Sequence, residues 1–221
     1  MPELLPCVEV ETGASPAASV IWLHGLGADG HDFEPIVPAL ALPFAVRYLF
    51  PHAPVRPVSL NGGWPMRAWF DLGAIDPAAQ LDRAGIDAST AAVAALVAHQ
   101  AARGVRHERI VLAGFSQGGS IALHAGLRTP QPLAGIVALS TFLPAAETLA
   151  DEASEANHTT PILMVHGTLD AVVPEGFGAA SRDLLLEYGH PVEWHSYPIA
   201  HTVCDEEIAL VRDFLGRVLG P

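Results

Sequence analysis

The stretch Arg109-Ile110-Val111-Leu112-Ala113-Gly114-Phe115-Ser116-Gln117-Gly118-Gly119 decides how this chain folds. From Ile110 to Ala113 it is apolar without alternation, the pattern of a strand covered on both faces. From Gln117 to Arg128 it reads as a helix. Between them lies Gly114-Phe115-Ser116-Gln117-Gly118, a G-x-S-x-G pattern. Five letters alone arise by chance; a strand before them and a helix after them give them meaning. A serine on such a turn sits at a strained backbone angle, and strand and helix approach so closely that its neighbours must be small. Gly114, Gly118 and Gly119 meet that need. The helix N-terminus beneath the serine adds backbone N–H donors for developing negative charge. An ordinary glycine-rich turn would use the same letters, but strand, turn and helix agree on Ser116 as a nucleophile.

Outward from this turn, short apolar runs recur between helical stretches. Cys7–Glu11, Ser19–Leu23, Val46–Phe50, Arg109–Phe115, Leu133–Ser140, Pro161–Val165 and Val192–Tyr197 read as strands. Helices are expected over Leu81–Arg103, Gln117–Arg128, Pro174–Tyr188 and Asp205–Leu219, with Gly104 and Gly189 as C-terminal caps. The alternation predicts a mostly parallel, doubly wound α/β sheet with helices on both faces. A length of 221 residues predicts one domain, spanning 1–221. Pro51–Gly73, with three prolines before Gly62-Gly63, is the one long irregular segment; a functional loop or a pair of short strands both fit it.

A serine hydroxyl needs a base, and the base needs an orienting carboxylate. In folds with this turn the chain order is serine, acid, histidine. Downstream, the strand Pro161–Val165 leads into His166-Gly167-Thr168-Leu169-Asp170, which puts Asp170 outside the carboxyl end of a strand, where open α/β sheets build sites. Of eleven histidines, His124 lies inside a helix, His158 precedes a strand, His166 comes before Asp170, and His195 lies within a strand. His201 alone satisfies order and strand-end placement. Stabilising the oxyanion falls first to the N–H of Gln117, just after the nucleophile. A second donor is expected from His24-Gly25-Leu26-Gly27, after the strand Ser19–Leu23. His24, Asp29, His31 and Asp32 share that loop without a recognised ligand spacing, so a solvated loop and no metal are expected.

Composition excludes several function classes. Eleven Lys plus Arg against 24 Asp plus Glu give a net charge of −13, which repels nucleic acid and anionic lipid. Cys7 and Cys204 stand far apart and are expected to be reduced thiols. Met1–Pro6 has no basic region leading into an apolar stretch, so no secretory signal is expected. No segment reads as membrane-spanning. The cytoplasm is the expected address, and a homodimer is compatible with the sequence.

Taken together, the motifs resemble those of the carboxylesterase, lysophospholipase and acyl-protein thioesterase family of α/β-hydrolases. The likeness covers essentially the whole chain: His24-Gly25-Leu26-Gly27 with Gly30-His31 and Phe33, then Arg67-Ala68-Trp69-Phe70-Asp71, the turn at Ser116 with Gly119, His166-Gly167 with Asp170 and Val173-Pro174, and His201. It implies Ser116, Asp170 and His201 as the triad, and the N–H groups of Leu26 and Gln117 as the oxyanion hole. No cofactor is implied, and an aliphatic-lined acyl site is, with Trp69, Phe70 and Leu72 placed near it. Arg67–Asp71 looks more like the bacterial carboxylesterase branch. The expected activity is hydrolysis of short to medium acyl esters through a serine acyl-enzyme, acting on small-molecule esters. Thioester or lysophospholipid hydrolysis is the alternative, and a non-catalytic binding module the rival from another class. Only Thr141 to Thr160 separates two late strands, so no large lid domain is expected.

Overall fold

A computed structural model describes residues 4–73 and 81–220. Met1–Glu3, the start of the segment read above as lacking a secretory signal, lie outside the described residues.

Seven strands form the central sheet: β1 (Cys7–Glu11), β2 (Ala18–Leu23), β3 (Val46–Pro51), β6 (Ile110–Phe115), β7 (Gly135–Leu139), β8 (Ile162–Gly167) and β9 (Val192–Tyr197). Their order is β1-β3-β2-β6-β7-β8-β9. β1 runs antiparallel to β3 and every other neighbouring pair is parallel. This is the doubly wound α/β-hydrolase sheet. Leu23 pairs with Gly114, Phe115 with Leu139, and Gly167 with Tyr197, so the strands end along one edge. The chain winds from β2 outward to β3, then returns to place β6 on β2's other side. That reversal opens a crevice at the strand ends, where ligands of such sheets bind.

The apolar strands are covered on both faces. Val20, Trp22, Tyr48, Val111, Ala113 and Val137 pack against α5 (Asp205–Leu219) and the 3₁₀ turn Glu34–Leu40. Ile21, Leu49, Ile110 and Leu112 pack against α1 (Arg83–Ala102) and α2 (Gln117–Arg128). Further along that face, Ile136, Ile162 and Met164 meet α2 and α4 (Glu175–Glu187). α1 starts two residues later than expected because the Asp82 side chain caps it, accepting from Gly85 N at 2.9 Å.

The irregular segment resolves into the second option named for it. β4 (Val55–Val58) and β5 (Trp64–Arg67) pair antiparallel, with Val55 opposite Arg67. Gly62 and Gly63, at φ +64° and +81°, supply the left-handed backbone of the turn. Between β7 and β8 the chain holds a 3₁₀ turn, the four-residue α3 (Leu149–Glu152) and another 3₁₀ turn. Glu152 ties this segment down through Arg83 at 2.6 Å and Arg128 at 2.7 Å.

One buried carboxyl yields a pH dependence. Glu207 in the first turn of α5 is 1% exposed, and its Oε1 has no hydrogen-bond partner among the described residues. Burial pushes its pKa from 4.5 up to about 7, and the Cys204 backbone offsets only part of that. Between those values the folded chain holds a proton that the unfolded chain releases, so stability falls as pH rises through this window. Above it the full cost, roughly 3 kcal/mol, is present. Glu207→Gln is therefore expected to raise Tm on the order of 5–10 °C at pH 8 and far less at pH 4.5. Circular dichroism melts at both pH values check this; an equal gain at each would contradict it.

Candidate active site

Ser116 joins β6 to α2 at φ 53°, ψ −122°, a region non-glycine residues rarely occupy. The turn is held rigidly: Ser116 N–H donates to Leu139 O at 2.8 Å, and Ser116 O accepts from Thr141 Oγ1 at 2.7 Å. The glycines around it are required by contact. A Cβ on Gly114 would lie 2.4 Å from the Gly118 backbone, and one on Gly118 2.2 Å from Leu23 O. Each is well inside van der Waals distance.

The loops after β8 and β9 bring the acid and base to this serine. His201 Nε2 lies 2.9 Å from Ser116 Oγ, and Nδ1 lies 2.6 Å from Asp170 Oδ2. A carboxylate only accepts, so Nδ1 carries the proton and Nε2 is free to accept from the serine. Asp170 Oδ1 accepts from Val172 N at 2.9 Å and Val173 N at 2.8 Å, which fixes the carboxylate in a fully buried setting. The two loops also bind one another: Thr168 N–H donates to Tyr197 O and Leu169 N–H to Ile199 O. Gly167 makes that approach possible, since a Cβ there would sit 2.4 Å from Ile199 O. Phe115 packs beneath the His201 imidazole at 4.7 Å between ring centres.

The other candidate histidines are engaged elsewhere. His166 is buried and donates from Nε2 to Val173 O at 2.8 Å, bracing the Asp170 loop. Burial lowers its pKa and favours the neutral ring. His124 meets Thr90, and desolvation pulls its pKa down to about 3. His195 meets Glu193 and His158 meets Tyr188 O. Among the described residues, only His201 reaches Ser116.

A cavity of about 320 Å³ opens over Ser116 and His201, walled by Leu26, Leu60, Phe70, Leu72, Phe142 and Val172. Leu26 and Gln117 both face it, and neither backbone N–H has an acceptor among the described residues. A roomier groove between α1 and α2, about 530 Å³, is lined by His124 and Val93 and lies away from Ser116.

Trp69 needs correcting. It does not line the cavity but lies fully buried behind its wall, with Nε1–H donating to His24 O at 2.9 Å. Its ring is too large to leave in a wet cleft once the sheet face offers a dry one, and the indole N–H finds a carbonyl there. Phe70 and Leu72 do line the cavity. Their backbone is anchored by a residue whose side chain the sequence did not flag. Gln117 Oε1 accepts from Trp69 N, and its Nε2 donates to Phe70 O, both at 2.8 Å. Ser89 Oγ bonds Trp69 O, Asp71 N–H donates to Asp82, and Leu60 N–H donates to Leu72 O. Nearly every residue of this wall is tied down, so it is not built as a hinged lid.

In the loop after β2, His31 pairs with Glu34 at 2.7 Å and Asp29 accepts from the His31 backbone. His24 is buried away from both, on backbone partners. Among the described residues, no group of three or more His, Cys, Asp or Glu is arranged to hold a metal ion. Cys7 and Cys204 are not bonded to one another. Among the described residues, no helix is long and apolar enough to cross a membrane.

A largely parallel sheet, with a strained serine between strand and helix at the ends of its strands, defines an α/β-hydrolase. The chain belongs to the phospholipase/carboxylesterase family, whose profile matches residues 5–219. An acyl-protein thioesterase 1 of Neurospora crassa is 39% identical over 97% of this chain and 90% of that protein. An acyl-protein thioesterase 1 of Cryptococcus neoformans is 35% identical over 99% of this chain and 100% of that protein. The crystal structure of Zea mays acyl-protein thioesterase 2 superposes with a TM-score of 0.87 at 34% identity, covering 97% of this chain and 99% of that one. Family and relatives together make this chain a hydrolase of the ester and thioester type.

Proposed function

We propose that this chain, acting as one catalytic domain over 1–221, hydrolyses acyl thioesters and oxygen esters through an acyl-enzyme on Ser116. The observation that carries the proposal is His201 standing between Ser116 Oγ and the buried Asp170 carboxylate at the floor of an apolar-walled cavity. His201 Nε2 takes the hydroxyl proton as Oγ bonds to the carbonyl carbon, and the carbonyl electron pair moves onto oxygen. The Leu26 and Gln117 N–H groups hold that oxyanion. The carbonyl re-forms as the C–S or C–O bond breaks, and His201 returns its proton to the leaving thiolate or alkoxide. Water then repeats the sequence and releases the acid. A non-catalytic binding module would have no use for this alignment.

Thioesters take precedence over oxygen esters as substrates because the relatives quoted above are named acyl-protein thioesterases. Short to medium acyl chains are favoured by the limited, partly open volume of about 320 Å³ and by its Phe70 wall, which Gln117 pins. A matched series of thioesters and oxygen esters of the same acids, from butyryl to palmitoyl, tests both points. The expected result is a higher kcat/KM on each thioester than on its ester, peaking below the longest chains. No turnover of any thioester, or a steady rise to palmitoyl, would contradict the assignment.

A further inference from the structure

A peptide bond is planar and, among the described residues, trans throughout, so the C=O and N–H of one unit point in opposite directions. The unit joining Gly25 to Leu26 carries one of the proposed oxyanion donors at its N–H end. Whatever holds Gly25 O therefore decides where Leu26 N–H points. His24 holds it. Its Nε2 accepts from Ala53 N–H at 3.0 Å, which in a neutral ring leaves the proton on Nδ1. Nδ1 in turn lies 2.7 Å from Gly25 O and donates to it. The residue is 2% exposed, and burial lowers its pKa, which favours the neutral ring.

The neighbouring units are held in the same way. Trp69 Nε1–H occupies His24 O, and Gly27 N–H donates to Arg67 O at 2.9 Å. Leu26 N–H remains without an acceptor among the described residues. The loop also lies against the nucleophile, since a Cβ on Gly25 would be 3.6 Å from Ser116 Cβ.

We propose that His24 is a positioning residue of the oxyanion site, its Nδ1–H gripping Gly25 O so that the Leu26 N–H is aimed at the substrate oxygen that becomes negative. A donor on the carbonyl end also polarises the amide and strengthens its N–H, because linked hydrogen bonds reinforce one another. This rests on the reading of Ser116 as nucleophile.

Two substitutions separate aiming from mere packing. Asparagine places an amide N–H near the position of Nδ1 and can still grip Gly25 O, but it does not reach Ala53. Glutamine places an oxygen near Nε2 and can accept from Ala53, but it offers Gly25 O nothing. His24→Gln is expected to lower kcat roughly 10- to 100-fold with KM within about twofold, since a misaimed donor loses part of an oxyanion contact. His24→Asn should stay within about fivefold of wild type. Near-ultraviolet circular dichroism and Tm report whether each variant is folded. A folded His24→Asn that loses a hundredfold in kcat, or a His24→Gln that changes KM alone, overturns the proposal. Ser116→Ala, measured alongside, keeps the two levels apart. If it stays active the nucleophile reading fails, and the His24 role with it; if it is dead while both His24 variants match wild type, only the His24 role fails.

Discussion

Ser116→Ala is expected to lower kcat on the order of 10⁶-fold, or about 8 kcal/mol of transition-state stabilisation. Tm and KM should stay close to wild type. Among the described residues the hydroxyl makes a single hydrogen bond, to His201, so its removal leaves little unsatisfied. The strained turn is held by backbone partners and by Gly114 and Gly118, none of which the substitution touches. Some faint catalysis, about 10³- to 10⁴-fold over water, is expected to survive from the oxyanion donors alone. Steady-state kinetics on the preferred thioester, with a melt on the same sample, checks this. A folded variant within tenfold of wild type would contradict it.

The second large effect concerns the groups proposed to activate the serine. His201→Gln is expected to cost on the order of 10⁶-fold in kcat and Asp170→Asn on the order of 10⁴-fold. The asparagine effect follows from the geometry. The Val172 and Val173 N–H groups bind Oδ1, so the asparagine oxygen takes that place and its NH₂ turns toward His201. Nδ1 must then accept, the proton moves to Nε2, and the ring can no longer take one from Ser116. Because the three groups act as a unit, the double variant should lose little more than His201→Gln alone. His195→Gln should stay near wild type, since among the described residues that imidazole bonds only Glu193. Additive losses in the double variant, or a His195→Gln as damaging as His201→Gln, would break the assignment.

What the sequence made legible was local or ordered along the chain. The turn at Ser116 is written in consecutive residues, because steric crowding there admits only glycine neighbours. Asp170 and His201 were readable because parallel strands end along one edge, so position after a strand implies position at the site. The segment Pro51–Gly73 was ambiguous for a physical reason: prolines mask the alternation of a strand, and part of the segment is fixed by partners far along the chain. One of them, the side chain of Gln117, holds the Trp69–Phe70 backbone 47 and 48 residues away. The same distance explains the error at Trp69. An aromatic in a loop carries no mark of which side of a wall it will face. His24 was legible as part of the loop expected to carry the second oxyanion donor and in a set without a metal-ligand spacing, not as a positioning side chain. Its tautomer depends on Ala53, 29 residues downstream. The Glu207 carboxyl is likewise unremarkable in sequence, since an acid in the first turn of a helix is ordinarily exposed.

The most direct test of the Ser116 assignment is to treat the wild-type chain with a fluorophosphonate and locate the added mass by peptide mapping. A hydroxyl activated by His201 should react stoichiometrically, with the label on the peptide carrying Ser116 and no label on Ser116→Ala. Modification at another residue, or an unreacted wild-type protein that still hydrolyses thioesters, would contradict it.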